Sequence, residues 1–344
     1  NMLMVVLIIK LDLFCLFFQC SYPVLNPEFE DSSIITNGTV EELRAMILAD
    51  THLLGPYRGH WFDKLRREWQ MYRSFQSAVA IHNPDIIFIL GDIFDEGMWT
   101  TQTEFDAYLK RFANLFNVEK PIELFVVPGN HDIGFHYRMS PNLEHRFSTA
   151  FKSRPVSFVS RRNVHFVLIN SMAMEGDGCS ICQRAEKTLK TVLCFSCFNF
   201  FGKHFPMYRE SDESCQEIDS APPVLKNEKF RERWECLSRE ASEMLIEMLR
   251  PRVILTGHTH HGCYRFTLKA KFMSIQFRPL VGEIKIIPLL CGKCSTSFSH
   301  LLSFPMKSNG SLNHERILTC EYSFLKENDA WKTMRTLKRE HVTQ

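Results

Sequence analysis

Four short apolar runs in this chain each stop at a cluster of Asp, Asn and His residues, the side-chain types that can ligate metal ions. Met46–Ala49 leads into Asp50-Thr-His52, and Ile86–Leu90 leads into Gly91-Asp92-Ile-Phe-Asp95. Leu124–Val127 precedes Gly129-Asn130-His131-Asp132, and Val253–Thr256 precedes Gly257-His258-Thr-His260. An apolar run that ends on polar side chains has the pattern of a buried strand delivering those groups from its carboxyl end. Four such strands converging on one edge of a sheet would gather carboxylate, amide and imidazole groups at one point. That donor mix suits hard to borderline divalent ions such as Mn²⁺, Zn²⁺, Fe²⁺ or Mg²⁺.

The order and spacing predict two ions that share one carboxylate. Asp92 is the candidate bridge, because it directly follows a strand and Gly91 clears space beside it. Asp50, His52 and one histidine of the last motif complete one ion; Asn130, a further histidine and the other of His258 and His260 complete the second. His204, lying between the third and fourth motifs, is the candidate for that further ligand. His131 is read as a general acid or electrostatic clamp, on the expectation that neighbours in an extended loop point apart. Asp95 is placed behind it, orienting and charging the imidazole. Each motif taken alone is an ordinary loop sequence; four in this order, each behind a strand-like run, form a constellation. His60, His82, His136, His145, His165 and His261 are read as structural or solvated, with His136 and Tyr137, just past the third motif, kept as secondary candidates for touching substrate.

The surrounding pattern is α/β. Helical periodicity runs from about Phe62 to Ala80, with Leu65, Trp69, Tyr72, Gln76 and Val79 as the expected buried stripe. A second helix is predicted over about Glu104 to Phe116, and Ser238 is set to cap a third that runs to Leu249. Val164–Ile169 reads as another buried strand. The formal net charge of +2 gives no electrostatic case for a nucleic-acid partner.

Met2–Ile9 and Leu13–Phe18 are apolar, split by Lys10 and Asp12; residues 1–20 are read as an N-terminal signal anchor in a membrane, with a cleaved signal peptide as the competitor, followed by a linker over 21–43. Asn37-Gly-Thr39 and Asn309-Gly-Ser311 are glycosylation acceptors if the chain faces a lumen. Among twelve cysteines, Cys179/Cys182, Cys194/Cys197 and Cys291/Cys294 form C-x-x-C pairs. The first two pairs have zinc-knuckle spacing, whereas a luminal compartment favours disulfides.

Together the motifs D-x-H, G-D-x-x-D, G-N-H-D, H and G-H-x-H resemble the calcineurin-like metallophosphoesterases. The resemblance implies an αββα sandwich of two mixed sheets with the metals at the strand ends. Position 95 is Asp rather than the Tyr of purple acid phosphatases, and Glu96 stands where Ser/Thr protein phosphatases carry Arg. Loss of that cation points to a singly charged phosphodiester. Ala49–Gly55, Gly59-His-Trp61, Asp63–Gln70, Gly91–Gly97, Gly129–Tyr137, Gly176–Cys179 and Leu237–Ser242 are similar to a branch of the family that remodels GPI anchors. Members of that branch remove an ethanolamine-phosphate side branch from the glycan of GPI-anchored proteins. This second resemblance implies Mn²⁺, a luminal catalytic domain over 44–263, and residence in membranes between ER exit sites and the Golgi. Residues 264–344 carry no matching motif and stay unassigned. The rivals are a broader phosphodiesterase or nuclease of the same superfamily, which would want a basic groove, and an inactive binding variant.

Overall fold

A computed structural model of the chain describes residues 40–135, 138–162, 164–192, 200–216, 219–267, 272–277 and 301–307. These fall in two units. One runs over Glu42–Phe304, and the other contributes only residues 40–41 and 305–307. The anchor, both glycosylation acceptors, His136, Tyr137 and two of the three C-x-x-C pairs lie outside the described residues. Among the described residues no helix is long and apolar enough to cross a membrane.

The first sheet is built from β1 (Val40–Leu48), β2 (Ile86–Leu90) and β3 (Glu123–Val127), paired in parallel. Between these strands lie α1 (Trp61–His82) and α2 (Gln102–Leu115). Every residue of β2 is buried, as expected for a parallel strand covered on both faces. A capping box between Thr101 and Glu104 starts α2. After β3 come α3 (Asn130–Ile133), a single turn, and α4 (Pro141–Phe151), capped by Ser140.

The second sheet runs β4-β5-β6-β7-β9-β8. Its strands are β4 (Val156–Arg161), β5 (Val164–Ile169), β6 (Phe200–Lys203), β7 (Val253–Thr256), β8 (Cys263–Thr267) and β9 (Phe272–Gln276). The pairs β5–β6, β6–β7 and β7–β9 are parallel and the two edge pairs antiparallel, which makes this sheet mixed. Helices α5 (Ser180–Val192), α6 (Pro223–Lys226) and α7 (Arg239–Leu249) belong to this half, with Ser238 capping α7. Strand β10 (Leu301–Lys307) completes the first sheet beside β1. Strand structure therefore continues past Cys263, through β8, β9 and β10.

The two sheets face each other through aromatic rings. Phe88 of β2 and Phe166 of β5 lie 4.7 Å apart, and Leu90 approaches Gly202 of β6. Outside the first sheet, Met71, Phe75 and Ala78 of α1 join Phe105, Tyr108 and Phe112 of α2 in one apolar cluster. This corrects the expected stripe on α1: Leu65 is 52% exposed and Tyr72 43%. Both stripes have helical spacing, and docking on the sheet selects the one carrying Phe75.

Candidate metal centre

The four motifs do not converge on one sheet edge. The first three leave β1, β2 and β3 of the first sheet, whereas His204 follows β6 and His258 and His260 follow β7 of the second. The cleft is closed by facing sheets because parallel strands of both halves end on the same side.

The backbone at this cleft is unusual. Asp50, His52, Asp92, His258 and His260 all have positive φ, between 42° and 78°. They are five of the ten non-glycine residues with positive φ among the described residues. Asn83, Lys152 and Arg250 are three of the others, and each is an ordinary left-handed helix C-cap. A left-handed backbone at non-glycine residues stores strain, and it gathers where the surrounding structure holds a functional geometry.

Donor groups overlap here. Asp50, His52 and His260 each offer an atom within 4.8 Å of the others, and so do Asp92, His204 and His258; His52, Asp92 and His131 form a third such group that links the first two. Asp92 Oδ2 lies 3.2 Å from His204 Nε2 and 3.6 Å from His52 Nε2, between the two groups. Asn130 Oδ1 lies 3.1 Å from His204 Nε2. Three glycines make the approach possible: a Cβ at Gly91 would strike His204, one at Gly129 would strike Asp92, and one at Gly257 would strike Asp50. All seven residues read as ligands are thus brought together.

Backbone carbonyls fix the imidazole tautomers. His204 Nδ1 lies 2.8 Å from the Leu90 carbonyl and donates its proton there, which turns Nε2 toward Asp92 and Asn130. His258 Nε2 lies 3.1 Å from the Trp234 carbonyl, so its Nδ1 is the bare nitrogen. His258 Nδ1 and His204 Nε2 face each other at 3.2 Å, with the oxygens of Asp92 and Asn130 around His204. His52 Nε2 and His260 Nε2 face each other at 3.0 Å beside the same aspartate. Buried carboxylate, amide and imidazole donors gathered this closely call for positive charge among them, so the donor set fits divalent metal ions. The carbonyls of Leu90 and Trp234 leave no side-chain signal in the sequence.

Charge in the cleft is polarised. Burial opposes ionisation of Asp92, but His204, His131 and His52 outweigh it and hold its carboxyl well below the usual range. Asp50, dominated by burial, is pushed up to about 6. Against burial, Asp92 and Asp50 raise His204 to about 9. Burial and then His204 lower His258 to about 3; burial and then His52 lower His260 to about 4. Neutral imidazole is the form that ligates metal, which His258 and His260 already hold; an ion bound at His204 would release that ring's proton. Asp132 is buried and accepts from the N–H groups of Gly129, Ile93 and Phe94, tying the second motif to the third.

His131 stands on the other side of Asp92. Its N–H donates to Asp92 Oδ1 at 2.8 Å, and its Nδ1 lies 2.7 Å from the Asp95 carbonyl. Residues 130–133 form a helical turn rather than the extended loop expected, and the turn separates the two neighbouring side chains. The Asp95 carboxylate lies closer to His52 Nδ1, at 3.2 Å, than to His131 Nδ1, at 3.6 Å, so it serves both rings. Glu96 is fully buried and accepts from the backbone N–H groups of Tyr57 and Arg58. The exposed Arg58 guanidinium then reaches to 3.9 Å from Asp95 and lies over the Trp99 ring.

The cysteines divide. Cys179–Cys182 and Cys215–Cys263 are disulfides, and Cys236 is free and buried.

Comparison with known proteins agrees with this geometry. The family model for calcineurin-like phosphoesterase matches residues 43–262. Metallophosphoesterase 1 of Gallus gallus is 43% identical over 268 residues, which is 72% of this chain and 67% of that one. The metallophosphoesterase 1 homolog of Drosophila melanogaster is 45% identical, over 65% of each chain. A solved dimetal phosphatase from Danio rerio superposes with a TM-score of 0.45 at 15% identity, over 69% of this chain and 87% of that one. With its ligand-bearing strand ends inside the matched region, the chain belongs to the calcineurin-like phosphoesterase family as a relative of metallophosphoesterase 1: a hydrolase of phosphoester bonds whose family implies two divalent metal ions.

Proposed function

We propose that the chain is a phosphodiesterase that removes an ethanolamine-phosphate side branch from the glycan of GPI-anchored proteins. On this reading it acts on the luminal side of ER-to-Golgi membranes and uses Mn²⁺. The kinship with metallophosphoesterase 1 supports the branch. The observation that carries the diester reading is the fate of Glu96. It occupies the position after Asp95 and spends its carboxylate on two backbone N–H groups, so no guanidinium projects from that position. Among the described residues Arg58 is the arginine that pairs with Asp95, and it is exposed, which suits a monoanionic diester better than a dianionic monoester.

Asp50, His52, Asp92, Asn130, His204, His258 and His260 would hold the ions. When bound, two divalent ions neutralise phosphate charge and ionise a water at neutral pH. The chain does the rest. Asp92 and the strained loops fix the donors before substrate arrives. The Asp95 carbonyl holds His131 Nδ1–H, which leaves Nε2 to deliver a proton. Water adds to phosphorus, the P–O bond to the leaving alkoxide breaks, and His131 protonates that oxygen, be it the sugar's or ethanolamine's. The Asp95 carboxylate, 3.6 Å from His131, stabilises the imidazolium that donates.

The test is to incubate the full chain and Mn²⁺ with a GPI glycan that bears ethanolamine phosphate, and to follow the side branch by mass spectrometry. Loss of the branch supports the reading. Hydrolysis of bis(p-nitrophenyl) phosphate with the branch left intact would overturn it in favour of another diester.

A further inference from the structure

The loop that carries His258 and His260 is held by a buried polar cluster that none of the four motifs contains. Gln276 is the last residue of β9 and is 1% exposed. It pairs in register with Thr256, the residue from which the loop departs. Its amide nitrogen donates to the His261 carbonyl at 2.7 Å and to the Thr259 hydroxyl. Its amide oxygen accepts from Arg209 Nη2. Arg209 is itself buried, and its Nε donates to Asp212 Oδ1 at 2.8 Å. The segment that follows Asp212 is bonded back to the far end of the loop through Cys215–Cys263. The Gly262 N–H donates to the Asp219 carbonyl at 3.0 Å.

The pattern alternates. Thr259 and His261 are gripped, and the two ligands sit at the positions just before them. Both ligands have left-handed backbones, with φ of 78° and 61°. Such conformations last only where neighbouring contacts over-determine them. An unpaired buried guanidinium or carboxamide would be costly, so the network holds as a unit or fails as one.

We infer that Arg209, Asp212 and Gln276 form a clamp that sets the orientation of His258 and His260, and that all three are positioning residues for the metal centre. The inference rests on those histidines being ligands. It extends the site to the end of β9, eighteen residues beyond His258 along the chain.

Gln276→Met keeps the volume and removes both the donor and the acceptor. In the full chain stripped of metal, titration with Mn²⁺ alone should show binding weakened about 10- to 100-fold. On bis(p-nitrophenyl) phosphate kcat should fall with KM nearly constant, and excess Mn²⁺ should restore part of the loss. Arg209→Lys should be milder than Arg209→Met. Thr259→Val removes one bond only and serves if Gln276→Met does not fold; it should weaken Mn²⁺ binding in the same direction. A lower melting temperature of the metal-free protein with unchanged Mn²⁺ affinity and kcat would overturn the clamp and leave a structural role. His258→Ala separates the two ideas. If it too leaves Mn²⁺ binding intact, the ligand assignment has failed, whatever Gln276 does.

Discussion

Replacing Gly129 with alanine adds one methyl group at the centre of the site, and its cost can be worked out. Gly129 has φ −109° and ψ 178°, extended backbone that alanine adopts freely. The entire effect therefore comes from space. A Cβ there would fall 2.8 Å from Asp92 Cγ, and nearer still to its Oδ1 and backbone N–H nitrogen. Restoring ordinary contact requires Asp92 or the 129–132 turn to move by about 1 Å, a displacement that can lower a rate about 10²-fold. At 1.36 kcal/mol per tenfold, that is about 2.7 kcal/mol of transition-state stabilisation. Overpacking a buried position adds about 1–3 kcal/mol of destabilisation. The assay is kcat on bis(p-nitrophenyl) phosphate at saturating Mn²⁺, with a thermal melt and metal analysis beside it. Gly178→Ala is the control: nothing lies within 4 Å of its Cβ, though its φ is +67°. That variant should lose about 1–2 kcal/mol of stability from its backbone and no activity. A Gly129→Ala enzyme with parental kcat and full metal content would refute the claim that Asp92 must stand where it does.

Asp92→Asn keeps shape and removes the charge shared by both donor groups; metal analysis should find both ions lost, and two retained ions per chain would defeat the bridging role. His131→Ala should keep its metals yet lose turnover about 10²–10⁴-fold on an alkyl diester. Its loss on an aryl diester, whose leaving group needs little protonation, should be smaller; equal losses would remove His131 as the acid. Removing metal with a chelator should lower the melting temperature, since an ion present at 100 times its dissociation constant adds about 2.7 kcal/mol. Breaking Cys215–Cys263 by a paired change to serine frees a chain segment of sequence separation 48. Chain entropy then predicts a loss of about 4 kcal/mol, read by denaturant titration.

The ligand-bearing strand ends were legible because each is a local signal: a few apolar residues, then a donor. Which strands share a sheet was not legible, because periodicity reports burial and not the identity of the neighbour. The same limit explains α1. Leu65-Trp69-Tyr72 and Met71-Phe75-Ala78 both repeat at helical spacing, and only contact with β2 and α2 buries the second. Strand β6 carries no period of its own, because three of its four residues close the aromatic, cysteine-rich run over 191–202. The carbonyls of Leu90, Trp234 and Asp95 orient three imidazoles, yet a carbonyl is common to every residue and marks nothing. Gln276 was silent for another reason: its meaning depends on β9 lying beside β7, a pairing set by the whole second sheet.

Because the donors come from both sheets, neither half of the sandwich contains a complete site. Asp50, His52, Asp92 and Asn130 leave the first sheet, and His204, His258 and His260 leave the second. A growing chain displays the first four long before β7 exists, and only a loose carboxylate-rich loop set is then on offer. Tight capture of ions must wait until the facing rings of Phe88 and Phe166 have joined the two halves. The donor set is thus complete only in the joined sandwich, so metal affinity would report the union of the two halves.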